Sequence, residues 1–162
     1  MEVQNFTISY ETFNSINQLE AADQQLCLKA VDAMATSHSP YSKFKVGTAI
    51  LLGDDEVVLG SNQENVAYPS GLCAERVALF GIGAHKPNAV IKKMAITAQT
   101  ELFKIVNPVT SCGACLQVMI EVEKRQNSPI EVLFYCIDGQ ILKVKSVKSL
   151  IPFAFVEDRL GA

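Results

Sequence analysis

The sequence predicts an α/β protein, a three-layer α/β/α sandwich built on a mixed five-stranded sheet. Segments with helical spacing of apolar residues alternate with β-branched runs, and this alternation predicts helices layered on a sheet. The 162 residues, 49% of them hydrophobic, are enough for one compact core and too few for two. We therefore expect a single domain over residues 1–162.

The first predicted element is an amphipathic helix over about residues 17–37. Its apolar residues recur near helical spacing, and Asn17 followed three residues later by Glu20 has the composition of a capping box. The helix should end before Pro40, because a proline disfavours helix in the residue that precedes it.

The remaining predicted elements alternate along the chain. Residues 44–52 and 56–61 form a hairpin around Gly53-Asp54-Asp55, and residues 130–137 and 140–147 form a second around Asp138-Gly139. Residues 74–84 and 113–125 have the spacing of helices, and residues 90–98 form the third strand in chain order. With helices before and between the strands in sequence, we expect helices on both faces of the sheet.

Composition excludes several classes of partner. The net charge of -3 and a pI near 5.4 provide no basic field of the kind that binds polynucleotides. No apolar run approaches the ~20 residues of a membrane span, and the N-terminus lacks the pattern of an export signal. We expect a cytoplasmic protein with no nucleic-acid or membrane partner. The charged fraction of 19% is below the usual quarter, which favours an oligomer.

Two cysteine-containing segments are predicted to open helices. Cys73 precedes one predicted helix, and Cys112 precedes the next with Cys115 one turn later. The free N–H groups and partial positive charge of a helix N-terminus stabilise a thiolate, which is the form that binds metal. Cys112 and Cys115 share one helix face, so the sequence predicts a zinc site with these three ligands.

Three protein ligands are typical of a catalytic zinc site, because the fourth position remains for water. Glu75 lies in the first turn after Cys73, where its carboxylate can reach that water. Zinc lowers the pKa of the water toward neutrality, and we expect Glu75 to take and return its proton.

These motifs resemble the cytidine deaminases of the tetrameric, all-cysteine zinc type. The resemblance rests on Cys-Ala-Glu-Arg, followed 39 residues after its cysteine by Cys-Gly-Ala-Cys, and covers roughly residues 17–156. Further landmarks occur in family order: Ser39-Pro40-Tyr41-Ser42, Phe44-Lys45-Val46-Gly47, Asn62-Gln63-Glu64-Asn65 and Ile151-Pro152-Phe153-Ala154-Phe155.

The resemblance implies a role for each matching residue. Asn62 and Glu64 hold the ribose hydroxyls, Phe44 lines the pyrimidine pocket, and Ala74 contacts substrate. Phe155 reaches into a neighbouring subunit's site. It also implies one zinc per chain and hydrogen bonds from Arg76 to ligand sulfurs, which offset the excess negative charge of three thiolates.

Three positions depart from the family pattern. Ser111 and Leu116 stand where the family usually has proline and arginine on either side of the Cys-x-x-Cys pair. Ser111 keeps the backbone carbonyl, so we expect little effect. Leu116 removes a cation, so the charge of the site depends more on Arg76. Phe153 replaces a common glycine and leaves the course of the tail open.

Other interpretations of these residues remain open. Phe44 can be a core residue, Phe155 can pack within its own chain, and Glu64 can be a solvated turn carboxylate. Cys27 and Cys136 are predicted to be core residues, because isolated cysteines are among the most buried. The two histidines, His38 and His85, are predicted to lie at helix ends or in solvent and to bind no metal.

The resemblance implies hydrolysis of cytidine and deoxycytidine to uridine and deoxyuridine, with ammonia released, in pyrimidine salvage. The alternatives are deamination of another aminonucleoside or of a base in a polynucleotide, and a non-catalytic interaction protein with the same fold. Ribose partners at Asn62 and Glu64 favour a nucleoside. Polynucleotide editors commonly have His-x-Glu and an electropositive channel, whereas this chain has Cys-x-Glu and a negative net charge.

Overall fold

The computed structural model describes residues 1–157 and Arg159, and the last positions of the predicted domain, 158 and 160–162, lie outside the described residues. The helices are α1 (Ala21–Ala33), α2 (Ala74–His85) and α3 (Gly113–Gln126). The strands are β1 (Glu11–Phe13), β2 (Phe44–Leu52), β3 (Val57–Ser61), β4 (Ile91–Thr100), β5 (Glu131–Tyr135) and β6 (Ile141–Val144). They form one mixed sheet in the order β1-β6-β5-β4-β2-β3, in which β4 and β5 run parallel and the other neighbours antiparallel.

Within the described residues the sheet has six strands, so the prediction of five was wrong. The additional strand, β1, pairs Glu11 with Lys143 and Phe13 with Ile141 at the edge of the sheet. Its three residues are too few to display the alternation that identifies a strand. Pairing with β6 creates this strand, and its own sequence does not signal it.

The predicted start of the first helix was also wrong. Residues Ile16–Gln18 form a separate 3₁₀ turn, and the N-cap of α1 is Glu20, which makes no side-chain capping hydrogen bond. Leu19, which follows this turn, is buried in the core with an extended backbone, so the helix begins only after it. The capping role expected for Asn17 is therefore absent from α1.

Alternate residues of the central strands enter two hydrophobic clusters, as the two-residue period of a strand requires. One cluster joins Leu26, Cys27 and Ala30 of α1 to Ala49 and other strand residues. The second joins α2 and α3 to residues of the three central strands β2, β4 and β5: Ile50, Leu52, Met94, Ile96, Val132 and Phe134. Among the described residues, none of the helices combines the length and apolarity needed to cross a bilayer.

A glycine brings α2 close to the sheet. A Cβ on Gly60 of β3 would lie 2.6 Å from the Ala74 carbonyl oxygen and 2.8 Å from the Ala78 backbone nitrogen. These are backbone atoms, which cannot give way as a flexible side chain would. The position of the start of α2, and hence of Cys73, depends on the missing side chain at Gly60.

Gly60→Ala is expected to lower the free energy of unfolding by ~1–3 kcal/mol, because the added methyl must displace the first turns of α2. The matched control is Gly81→Ala, since a Cβ at Gly81 meets nothing within 4 Å. Gly81 lies inside α2, so its replacement by alanine should stabilise the protein by ~0.5–1 kcal/mol. Urea denaturation measures both variants, and equal shifts of the two midpoints would contradict this account of Gly60.

Candidate active site and metal centre

Two helix starts form the centre of the candidate site. Cys73 is the N-cap of α2 and Cys112 is the N-cap of α3, as the sequence predicts. Neither residue makes a side-chain capping hydrogen bond, so both thiols are available to another partner. Cys115 lies on α3 one turn after Cys112 and is completely buried.

The sulfur atoms of Cys73, Cys112 and Cys115 all lie within 4.8 Å of one another. The Cys73 and Cys112 sulfurs are 3.9 Å apart, and the Cys112 and Cys115 sulfurs 3.5 Å. Thiolates at ~2.3 Å from a tetrahedral zinc ion are separated by about 3.8 Å. The three donors therefore fit zinc in both chemistry and spacing, and the cluster can hold the ion.

The surroundings of Cys73 favour its thiolate. A hydrogen bond from the Cys115 thiol has the largest effect, and with a bond from Arg76 it lowers the Cys73 pKa to about 6 despite partial burial. The Arg76 Nη2 donates to the Cys73 Sγ at 3.8 Å. The Cys115 pKa is raised, because that thiol donates to Cys73 and is buried. One ligand is thus already poised to lose its proton.

A cavity of about 740 Å³ opens beside the cysteines. Cys73, Cys112 and Glu75 line it, and Glu75 is only 4% exposed to solvent. Glu75 is the second residue of α2, which explains its place next to Cys73. The other lining residues come from the loops and strands around the helix starts: Tyr41, Ser42, Phe44, Val46, Asn62, Gln63, Glu64, Asn65, Tyr68, Gly71, Leu72, Ile96, Val109 and Thr110.

Asn62 lines this cavity and also binds the neighbouring backbone. Its Oδ1 accepts hydrogen bonds from the Val46 N–H at 2.8 Å and the Ser37 hydroxyl at 2.6 Å. Its Nδ2 donates to the Phe44 carbonyl oxygen at 2.9 Å. A primary amide has a second N–H, and that is the group that Asn62 can offer to a ligand.

Glu64 is a half-buried carboxylate on the cavity wall. The Ser42 hydroxyl donates to its Oε1, and the N–H groups of Tyr41 and Ser42 donate to its Oε2 at 3.0 and 3.3 Å. These bonds, that of the Ser42 hydroxyl most of all, lower the pKa of Glu64. Glu64 therefore carries charge and holds the turn at Tyr41 in place.

Phe44, the first residue of β2, lines the cavity. Its ring centroid is 6.3 Å from that of Phe103, and the planes are tilted by 31°. Phe103 is 59% exposed, so one side of this pair faces solvent.

Ala74 and Phe155 are not among the described residues that line this cavity. Ala74 is completely buried at the first position of α2. Phe155 is 71% exposed, and its backbone makes two hydrogen bonds with the Gln117 side chain, at 2.8 and 3.1 Å. Its ring is thus available to another molecule.

The positions that depart from the family pattern have distinct surroundings. Leu116 packs against the hydrophobic core, where an apolar side chain is suited. The Ser111 hydroxyl oxygen is buried without a hydrogen-bond partner among the described residues. Phe153 is 93% exposed, so the tail turns its ring into solvent.

The other cysteines and the histidines lie outside the metal cluster. Cys27 and Cys136 are both buried, which confirms the prediction that they are core residues. His85 ends α2, and the His38 N–H donates to the Asn62 carbonyl oxygen.

The sequence reasoning assigned no role to two tyrosines at the cavity. Tyr41 and Tyr68 line it with their ring centroids 6.0 Å apart in an edge-to-face arrangement. Tyr41 lies in one of the segments that carry the resemblance, so its position was a signal that could have been used. Val109 and Thr110 also line the cavity, and nothing in their sequence indicates it.

Comparison with known proteins gives a consistent result. The family model for the cytidine and deoxycytidylate deaminase zinc-binding region matches residues 20–128. The cytidine deaminase of Halalkalibacterium halodurans is 36% identical over 142 residues, which cover 86% of this chain and 98% of that protein. That of Sporosarcina psychrophila is 35% identical over 138 residues, covering 85% and 94%.

Solved structures agree with the sequence comparison. The crystal structure of cytidine deaminase from Burkholderia pseudomallei matches with a TM-score of 0.70 and 35% identity, covering 81% of this chain and 97% of that one. The Mycobacterium tuberculosis enzyme matches with a TM-score of 0.65 and 26% identity, covering 85% and 100%. With its three clustered cysteines, this chain belongs to the zinc-binding cytidine and deoxycytidylate deaminase family.

Proposed function

We propose that this protein is a hydrolase that deaminates cytidine and deoxycytidine to uridine and deoxyuridine, with release of ammonia. The observation that carries the proposal is the meeting of three thiols with Glu75 at one cavity. A thiol cluster alone is compatible with a structural zinc site, whereas a buried carboxylate beside it is what hydrolysis requires.

The proposed zinc ligands are Cys73, Cys112 and Cys115. When bound, zinc lowers the pKa of a coordinated water toward neutrality. Three thiolates exceed the charge of a divalent cation by one, and the Arg76 guanidinium, which donates to the Cys73 Sγ, offsets that excess. Because Leu116 provides no cation, Arg76 makes the larger contribution here.

We assign the proton transfers to Glu75. Glu75 lines the cavity and is only 4% exposed to solvent. Its carboxylate can therefore exchange a proton with a bound ligand, and bulk water has little access to that proton. Glu75 accepts a proton from the water that attacks C4 of the pyrimidine and delivers that proton to N3. It then takes the remaining proton from the new C4 hydroxyl and passes it to the amine, so that the C4–N bond breaks, the C4 carbonyl forms and ammonia leaves.

Asn62, Glu64 and Phe44 are the proposed substrate contacts within one chain. The free N–H of Asn62 can donate to a ribose hydroxyl, and the Glu64 carboxylate can accept from one. Phe44 provides an apolar wall for the base. Polar partners of this kind discriminate against a free base, which would leave them unpaired.

The substrate class is tested by ammonia release from cytidine, deoxycytidine, cytosine, adenosine and a single-stranded oligodeoxynucleotide. We expect turnover of the first two alone. Turnover of cytosine at a similar kcat/KM would contradict the roles of Asn62 and Glu64, and turnover of the oligonucleotide would favour a polynucleotide editor.

We further infer a single domain with three-layer α/β/α organisation, which the two core clusters drawn from alternate strand residues support. Thiolate ligands suit the reducing cytosol, so we propose a cytoplasmic enzyme of pyrimidine salvage. We also propose a homotetramer in which Phe155 contacts substrate in a neighbouring subunit's site, since it does not line the cavity of its own chain. Ala74, between Cys73 and Glu75, is a further proposed substrate contact.

Phe155→Ala is expected to raise KM for cytidine by roughly 5–150-fold, the range that corresponds to loss of ~1–3 kcal/mol of stacking on the base. Zinc content should not change, because the cysteines lie elsewhere. Phe153→Ala is the matched control, since Phe153 is an even more exposed aromatic residue of the same tail. Unchanged kinetics of Phe155→Ala, or an active monomer in sedimentation, would contradict the shared site.

A further inference from the structure

Thr48, in the middle of β2, carries a buried hydroxyl without a partner. The residue is completely buried, and its Oγ1 has no hydrogen-bond partner within the described residues. Thr97, a buried threonine of β4, differs because its hydroxyl donates to the Tyr135 carbonyl oxygen at 2.8 Å. Burying a hydroxyl without a hydrogen-bond partner destabilises the folded protein, whereas a valine of the same shape has no such penalty. The presence of threonine here therefore calls for an explanation.

The sheet places Thr48 beneath the candidate site. Thr48 pairs with Gly60 on one side and with Ile96 on the other. Gly60 lies against the start of α2, and Ile96 lines the cavity together with Glu75. Val46, two residues earlier on the same face of β2, also lines the cavity. Thr48 therefore lies between the strand under α2 and the cavity wall.

The helix that packs on this face of the sheet, α2, carries Glu75 near its start. Glu75 is buried on α2 with Ala78, Leu79 and Ile82, which belong to the core cluster on this face of the sheet. Its carboxylate lines the cavity, so it is open to a ligand or a water on that side. A buried hydroxyl without a partner and a buried carboxylate thus lie on two elements that pack together.

We propose that the Thr48 hydroxyl is a positioning group for the Glu75 carboxylate, to which it donates a hydrogen bond through one water. The inference rests on the proposed function, in which Glu75 moves protons. A carboxylate free to rotate presents its oxygens to the reacting atoms for only part of the time, whereas a fixed donor selects one orientation. The buried hydroxyl thus lowers the stability of the fold and, by orienting Glu75, increases the rate of turnover.

The test compares Thr48→Val, which removes the hydroxyl and keeps the shape, with Thr48→Ser, which keeps the hydroxyl. Thr97→Val is the matched control, because it removes a paired hydroxyl from the other face of the sheet. For each protein we would measure zinc content, Tm, and kcat and KM for ammonia release from cytidine.

Thr48→Val is expected to keep its zinc and to melt at the same or a higher temperature, while kcat falls by ~10-fold or more with KM nearly unchanged. Thr48→Ser should retain kcat within about threefold. Thr97→Val should melt at a lower temperature with unchanged kcat, because the hydrogen bond that it removes stabilises the fold and does not reach the site.

Thr48→Val with kcat within twofold of wild type would overturn the positioning role and leave the proposed function intact. Equal losses of kcat in Thr48→Val and Thr48→Ser, with lowered Tm in both, would assign Thr48 to packing and also overturn it. Zinc-loaded wild type that releases no ammonia would contradict the proposed function and this inference with it.

Discussion

Glu75→Ala is expected to keep the fold and the zinc while kcat falls by ~10²–10⁴-fold or more, the range attributed to a general acid and base. The loss should lie at the upper end, because one carboxylate serves both proton transfers. Glu75 contributes no ligand to the three-sulfur cluster, so the metal content should stay at one per chain. The measurements are steady-state ammonia release and elemental analysis of the same sample.

Glu75→Gln extends this test, because the amide keeps the size of the side chain and loses the capacity to carry a proton. It should be as inactive as Glu75→Ala. Glu121→Gln, which alters an exposed glutamate on α3, is the control and should retain full activity. Either Glu75 variant retaining more than about a tenth of the wild-type rate would contradict the proton-transfer role.

Cys73→Ala is expected to abolish both zinc binding and turnover. Two thiols bind the ion more weakly than three do. Because the cluster joins the starts of α2 and α3, the variant also loses the metal link between these helices. Binding to the folded state stabilises a protein by ~4 kcal/mol at a thousandfold excess over Kd, so added zinc should raise the Tm of wild type and leave the variant unchanged.

Cys136→Ala is the control for thiol chemistry, because Cys136 is buried in the core outside the cluster. It should bind one zinc and turn over cytidine normally. Zinc retained in Cys73→Ala but lost on replacement of His38 or His85 would show that the wrong ligands were assigned.

The helices and central strands could be predicted because their signals are local. Residues 44–52 were predicted as a strand, and β2 has those bounds. The cysteines at the starts of α2 and α3 were located by the residue types and periodicity that follow them. Neither result needed knowledge of distant parts of the chain.

Features that depend on strand order could not be predicted. Asp23 of α1 is 1% exposed, and its carboxylate pairs with Lys93 of β4 at 2.6 Å and Lys143 of β6 at 2.7 Å. These partners follow Asp23 by 70 and 120 positions. A charged residue on an amphipathic helix is ordinarily expected in solvent, and only the register of the sheet explains its burial.

The candidate site divides in the same way. Spacing within one helical turn is enough to predict that Cys73 lies near Glu75 and that Cys112 lies near Cys115. That the two helix starts meet depends on the packing of α2 and α3, which local spacing does not encode. The hydrogen bonds of Asn62 and Glu64 to residues 37–46, and the contact between the Phe44 and Phe103 rings, join loops far apart in sequence. No local pattern encodes them.

Titration of metal-free protein with zinc, with ammonia release from cytidine recorded at each addition, tests the central claim most directly. The account predicts no activity without metal, a linear rise as zinc is added, and a plateau at one ion per chain. Ammonia release by the metal-free protein, or a fully loaded protein that leaves cytidine unchanged, would contradict it.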